Sequence, residues 1–216
     1  MNHRPIQPVA TFTDPPPNRR ALAKQRTRQR LLDAARRLFA ERGYDAATVR
    51  DIAAAADLST GAVFASFSDK AQLFTEVIVS DYQKLAERLA GLDLQGLSAR
   101  DALVKIFAVA YDGHLEQLGL IQAVISFSWH RDQGAEMRNR QGMKLVLSQL
   151  SGILKQGVET GELSDQLDIR LTTEMLWDSY LANYRRAIFD DWKAEALSDH
   201  LSAQIDLLLA GFRAAA

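Results

Sequence analysis

All five prolines fall within the first 17 residues, at positions 5, 8 and 15–17, and none interrupts the chain from residue 18 to residue 216. Proline breaks helices because it lacks an N–H and its ring clashes with the preceding turn, so the long proline-free tract leaves helices free to run. Within that tract the apolar residues recur at three- and four-residue spacing and never in the strict alternation of a half-buried strand. The chain is therefore expected to be all-α. Residues 1–18 read as a disordered arm. Helices are expected at about 20–42, 48–56, 59–65, 69–90, 98–117, 120–130, 135–160, 168–189 and 194–213. Gly43, Gly91, Gly96 and Gly161 mark stops. Thr48 with Asp51 and Asp69 with Gln72 form capping patterns, and Ser59 caps the very short third helix.

The chain has no cysteine, which excludes a disulfide framework and a thiolate metal site. His3, His114, His130 and His200 are scattered, with no pair at ligand spacing, so neither a metal nor a cofactor is expected. There is no phosphate-cradling glycine loop, no nucleophile elbow and no HExxH, so no catalytic residue is assigned. No run approaches the roughly 18 apolar residues of a membrane span, and no signal-peptide pattern opens the chain, so a cytoplasmic location off the membrane is expected. The net charge of −1 conceals a strong asymmetry. Residues 19–50 carry ten Lys/Arg against three Asp/Glu, a net of +7, residues 1–18 balance to zero, and residues 51–216 carry a net of −8. A basic segment on an acidic body is the electrostatic footprint of a nucleic-acid binder, although a solvated helix face has the same composition.

Residues 48–67, TVRDIAAAADLSTGAVFASF, have the makings of a helix-turn-helix. Ala53, Ala54, Ala55 and Ala56 keep one short helix thin, so that a neighbour can approach closely. Val49, Ile52, Leu58, Val63 and Phe67 supply a small core. Such a unit presents one helix to the major groove while the other braces on the backbone. Ser59, Thr60, Gly61 and Ala62 open the presented helix with small side chains, which permit close approach to phosphates or base edges.

Residues 27–78 as a whole resemble the N-terminal domain of the TetR family of transcriptional repressors. The shared features come in order: an Ala-rich first helix ending in Phe39, Ala40, Gly43 and Tyr44; Thr48 before Ile52 and Ala53; Ser59, Gly61 and Phe67; then Lys70, Leu73 and Phe74. The resemblance implies a DNA-binding domain over 19–68 and a helical ligand-binding and dimerisation domain over 69–216. It implies a dimeric repressor released from a palindromic double-stranded operator by a small molecule. By position it places Thr48 and Lys70 on phosphates, and Arg50, Ser59, Thr60, Gly61 and Ala62 at the major groove. Arg50 could meet a guanine or a phosphate. Where the family usually carries Tyr and His near the end of the recognition helix, this chain has Phe64 and Ser66, and core packing is as good a reading for Phe64 as DNA contact. Arg28, among the cations opening the first helix, is expected to track phosphates or enter the minor groove.

In the C-terminal two-thirds, Phe107, Tyr111, His114, Phe127, Trp129, Met137, Trp177, Tyr180 and Tyr184 are candidate lining residues of an effector pocket, against ordinary core as the plainer reading. The last two helices are the candidates for pairing two subunits as a four-helix bundle, through Leu176, Asn183, Leu201, Ile205, Leu208 and Phe212. A helical enzyme or carrier, and a protein–protein adaptor, are the competing classes. Turnover without DNA retention would mark the first, and a monomer with a large exposed apolar face the second.

Overall fold

The structure, a computed structural model, describes residues 19–213. The arm expected over 1–18 lies outside the described residues. Nine α-helices account for most of what is described: α1 (Arg19–Ala46), α2 (Val49–Ala55), α3 (Thr60–Phe64), α4 (Lys70–Ala90), α5 (Ala99–Leu115), α6 (Leu118–Ser128), α7 (Gln133–Glu159), α8 (Ile169–Asp190) and α9 (Ala194–Leu209). A 3₁₀ turn over Ala210–Phe212 follows, and an isolated antiparallel bridge ties Leu163 to Arg213.

The helix starts follow the capping chemistry. Thr48 Oγ1 accepts from the Asp51 N–H at 3.1 Å while Asp51 Oδ2 accepts from the Thr48 N–H at 3.3 Å, a reciprocal capping box. Ser59 Oγ accepts from the Ala62 N–H, and Asp69 Oδ1 from the Gln72 N–H at 2.7 Å. The stop expected at Gly43 is there: with φ +76° and ψ 174° it leaves the helical region, and the α1 span to Ala46 adds a short turn beyond that break.

The first three helices and the start of α4 share one core. Leu31, Ala35, Leu38 and Phe39 of α1 meet Ile52, Ala53, Val63, Phe67, Leu73 and Phe74, all buried. α2 and α3 are joined through Asp57, held at φ +52°, with the Leu58 N–H closing back on the Ala53 carbonyl at 2.9 Å. Behind this head the body is a helical stack in which α4 lies along α7, α5 along α9, and α8 against α7 and α9.

Head and body meet at a second broad contact, between α1 and α6. A Cβ on Gly119 would run into the Ala40 carbonyl oxygen, so only glycine lets the two backbones approach this closely. At the other end of α6, Phe127 packs between Tyr44 and Phe74, at ring-centroid distances of 4.5 and 4.9 Å.

Candidate nucleic-acid interface and effector region

The exposed edge of the head carries most of the residues singled out in the sequence. Thr48, Arg50, Ser59, Thr60 and Gly61 are exposed, and Ala62 and Ser66 are half-buried. Phe64 is 56% exposed, so packing in the core does not account for it. An apolar ring held in solvent at the end of α3 has the chemistry to meet a thymine methyl or a sugar. The Thr48 hydroxyl also donates to Asp51 Oδ2 at 2.7 Å, so the cap already engages it.

Several basic residues of the first helix are committed inside the protein. Arg30 donates to the Ala56 carbonyl at 2.6 Å and to that of Asp57 at 3.3 Å, closing the C-terminal end of α2. Arg36 pairs with Asp81 of α4. Arg28 donates to Glu76 Oε2 at 2.7 Å and lies 4.6 Å from the centroid of the Phe67 ring. Lys70 donates to the carbonyls of Tyr44 and Asp45 at 3.0 and 3.3 Å and stacks on the Tyr44 ring, so its ammonium braces the end of α1. Arg19, Lys24, Arg26 and Arg50 remain exposed.

Sequence reasoning missed Glu76. Its carboxylate takes Arg28 from the head and, at 2.7 and 3.2 Å, both Arg138 Nε and Nη2 from α7. The Arg138 hydrogen bond, with Arg28 adding to it, holds the Glu76 carboxyl below the usual glutamate range. One carboxylate thus ties α7 to α1. No local pattern signals it, because its partners lie 48 and 62 residues away in the chain.

In the body, Phe107, Tyr111, Trp177, Tyr180 and Tyr184 do come together, with His114 at their edge. Tyr111, Tyr180 and Tyr184 are fully buried and packed ring against ring, 4.8–5.3 Å apart. Tyr111 donates to the Tyr180 carbonyl at 3.2 Å and accepts from Asn183 Nδ2 at 3.2 Å. Burial pushes the Tyr111, Tyr180 and Tyr184 phenols well above the ordinary tyrosine value. Three expected members lie elsewhere. Phe127 is in the head–body seam, and Trp129, capping α6, is 86% exposed. Met137 is also exposed and lines a groove of about 660 Å³ between α7 and α8, whose walls include Leu147 and Ile169 and whose rim carries Arg140, Lys144 and Arg170.

The expected subunit-pairing residues are mostly consumed within the chain: Leu176, Asn183, Leu201 and Ile205 are buried, and Leu208 and Phe212 half-buried. What α8 and α9 turn outward is a different stripe. It comprises Leu171, Met175, Ala182 and Phe189 on α8, with Ala196, Ala203 and Leu207 on α9. Both stripes are apolar, and periodicity alone does not rank them.

Residues 31–77 match the sequence profile described as "Bacterial regulatory proteins, tetR family". That segment carries the N-terminal signature of the TetR family. It is 27% identical over 175 residues to the HTH-type transcriptional repressor KstR2 of Rhodococcus jostii, covering 76% of this chain and 81% of that protein. It is 24% identical to the fatty acid metabolism regulator protein of Bacillus subtilis, covering 84% of this chain and 93% of that one. Its fold matches the crystal structure of the transcriptional regulator FadR from Bacillus subtilis in complex with stearoyl-CoA, with a TM-score of 0.73, 22% identity, and coverage of 85% and 98%. These relatives are named as regulators, not enzymes, and the chain described here, with the same N-terminal signature, is a DNA-binding transcriptional regulator.

Proposed function

We propose that this chain acts as a dimer that holds an inverted-repeat operator and is released from it by a small-molecule effector. The observation that carries the reading is the exposed edge of the head, where Arg50, Thr60, Gly61 and Phe64 face solvent together on a rigid three-helix unit. One such head holds half a site, and two-fold pairing supplies the other half. The outward apolar stripes of α8 and α9 are the surface we assign to that pairing. Phe189 at 74% and Leu207 at 78% exposure are out of keeping with a solitary subunit.

For the effector we propose a long-chain acyl thioester of coenzyme A. Relatives named for fatty acid metabolism and for stearoyl-CoA binding suggest the class. The α7–α8 groove is apolar along its walls, and Arg140, Lys144 and Arg170 outnumber Glu174 around it, chemistry that suits an acyl chain ending in a polyanion.

The test begins with duplexes selected from genomic fragments by the full-length protein. Retention by an inverted repeat is expected, with affinity falling steeply as salt rises, and stearoyl-CoA should release the complex where free coenzyme A does not. Arg50→Ala should weaken operator binding about tenfold or more. Selection of no inverted repeat, or wild-type binding by Arg50→Ala, would overturn the reading of the head. Failure of stearoyl-CoA to release the operator would overturn only the choice of effector.

A further inference from the structure

A small cleft of about 70 Å³ lies between α1, α4 and α5, lined among others by Arg36, Lys84, Arg88, His114 and Gln117. Its only carboxylate, Asp81, is already paired with Arg36. Lys84 and Arg88 have no carboxylate within ion-pair distance among the described residues. The Arg88 guanidinium occupies the place where a Cβ on residue 113 would stand, so Gly113 allows it to lie across α5 beside His114.

His114 closes the inner wall. Its Nδ1 is 2.7 Å from Tyr180 Oη and 3.2 Å from Tyr184 Oη, and the two hydroxyls are 2.7 Å apart. Two buried hydroxyl protons need acceptors. The arrangement that uses both has one phenol donating to the other and the second donating to Nδ1. That places the imidazole proton on Nε2, the ring nitrogen directed away from the tyrosines. Burial, with Arg88 and Arg36 nearby, keeps the ring neutral down to about pH 4.

Apart from the neutralised Asp81, the charged groups of the cleft are donors, and its volume suits one compact group. We propose that this cleft, a site separate from the α7–α8 groove, binds the oxyanion group, carboxylate or phosphoryl, of a small-molecule effector, held by Arg88, Lys84 and the Nε2–H of His114. An arriving oxyanion also competes with Asp81 for Arg36, and that ion pair joins the head helix to α4. Occupancy and head position are thereby linked. The inference rests on the reading of the body as an effector domain, and not on which effector it takes.

The experiment uses full-length protein labelled at its histidine rings, with His114 assigned through His114→Asn. Inorganic phosphate, coenzyme A and hexanoate are titrated separately at constant ionic strength, without DNA. A saturating shift of the His114 resonance is expected from at least one of them, with His130 and His200 unmoved. Arg88→Gln should weaken it about tenfold, as the loss of one charge-assisted hydrogen bond requires. Should that variant fail to fold, Lys84→Gln gives the same readout from an exposed position. A response to phosphate or coenzyme A assigns a phosphoryl group, and one to hexanoate alone a carboxylate. The proposal is overturned if His114 ignores all three, or if its shift never saturates and survives in the variants. Operator release is measured separately, so failure here leaves the DNA-binding reading standing.

Discussion

The Lys70 ammonium sits 3.0 Å from one carbonyl and 3.3 Å from another at the end of α1, with an aromatic face beneath it. Lys70→Met keeps much of the stem and removes these bonds, and should lower stability by about 1–2 kcal/mol in chemical denaturation. The salt slope of operator binding should stay unchanged. A slope reduced by about 0.9 would instead assign the side chain to a phosphate. Sequence alone could not separate these roles, because a lysine at a helix start is equally placed for both. His114 makes a second residue-scale prediction. Its folded pKa is lowered to about 4 from 6.5, chiefly by desolvation. Below pH 6.5 the unfolded chain takes up a proton that the folded chain refuses until about pH 4, so stability present above pH 6.5 is lost as pH falls through that window. The loss amounts to roughly 3 kcal/mol at most. Unfolding midpoints measured from pH 7.5 to 4.5 should fall steeply in wild type and less so in His114→Asn.

At the scale of elements, every helix that caps or glycines punctuate was legible, and the caps at Thr48, a reciprocal box, and at Asp69 formed where the spacing placed them. What joins the helices was not. Gly119 carries no turn signal, yet it lets α6 press on the Ala40 carbonyl, and Glu76 holds α1 and α7 on one carboxylate. Both depend on residues far apart in the chain, and periodicity reports only which face of a helix is apolar. Gly119→Ala should therefore cost about 1–3 kcal/mol, as overpacking does, seen as a thermal midpoint lowered by several degrees. Arg138 is held on α7, and its ion pair with Glu76 links it to the head. Arg138→Gln should weaken operator binding, yet add little in a Glu76→Gln background. Additive effects in that cycle would show that the two side chains act independently. Arg170→Gln, which breaks an exposed pair on α8, is the control expected to leave DNA binding alone.

For the whole molecule the charge asymmetry and the unpaired stripe make one argument. The basic excess of 19–50 is a property of a single head, and part of it is spent internally on Glu76, Asp81 and the Ala56 carbonyl. The cations left exposed set the phosphate contacts of one subunit, and the proposed pairing would put two such sets on one duplex. In that proposal the body brings the heads together through the face that carries Leu207 and Phe189. Leu207→Glu places a charge where two copies would meet and leaves each subunit's own core untouched, because the native side chain is largely in solvent. Sedimentation should show the wild type as a dimer at micromolar concentration and Leu207→Glu as a folded monomer with unchanged helicity. The monomer should bind an inverted repeat no better than a single half-site, with about half the salt slope. A variant that stays dimeric would move the subunit contact elsewhere, and one that is monomeric yet binds as tightly as wild type would remove the need for two heads.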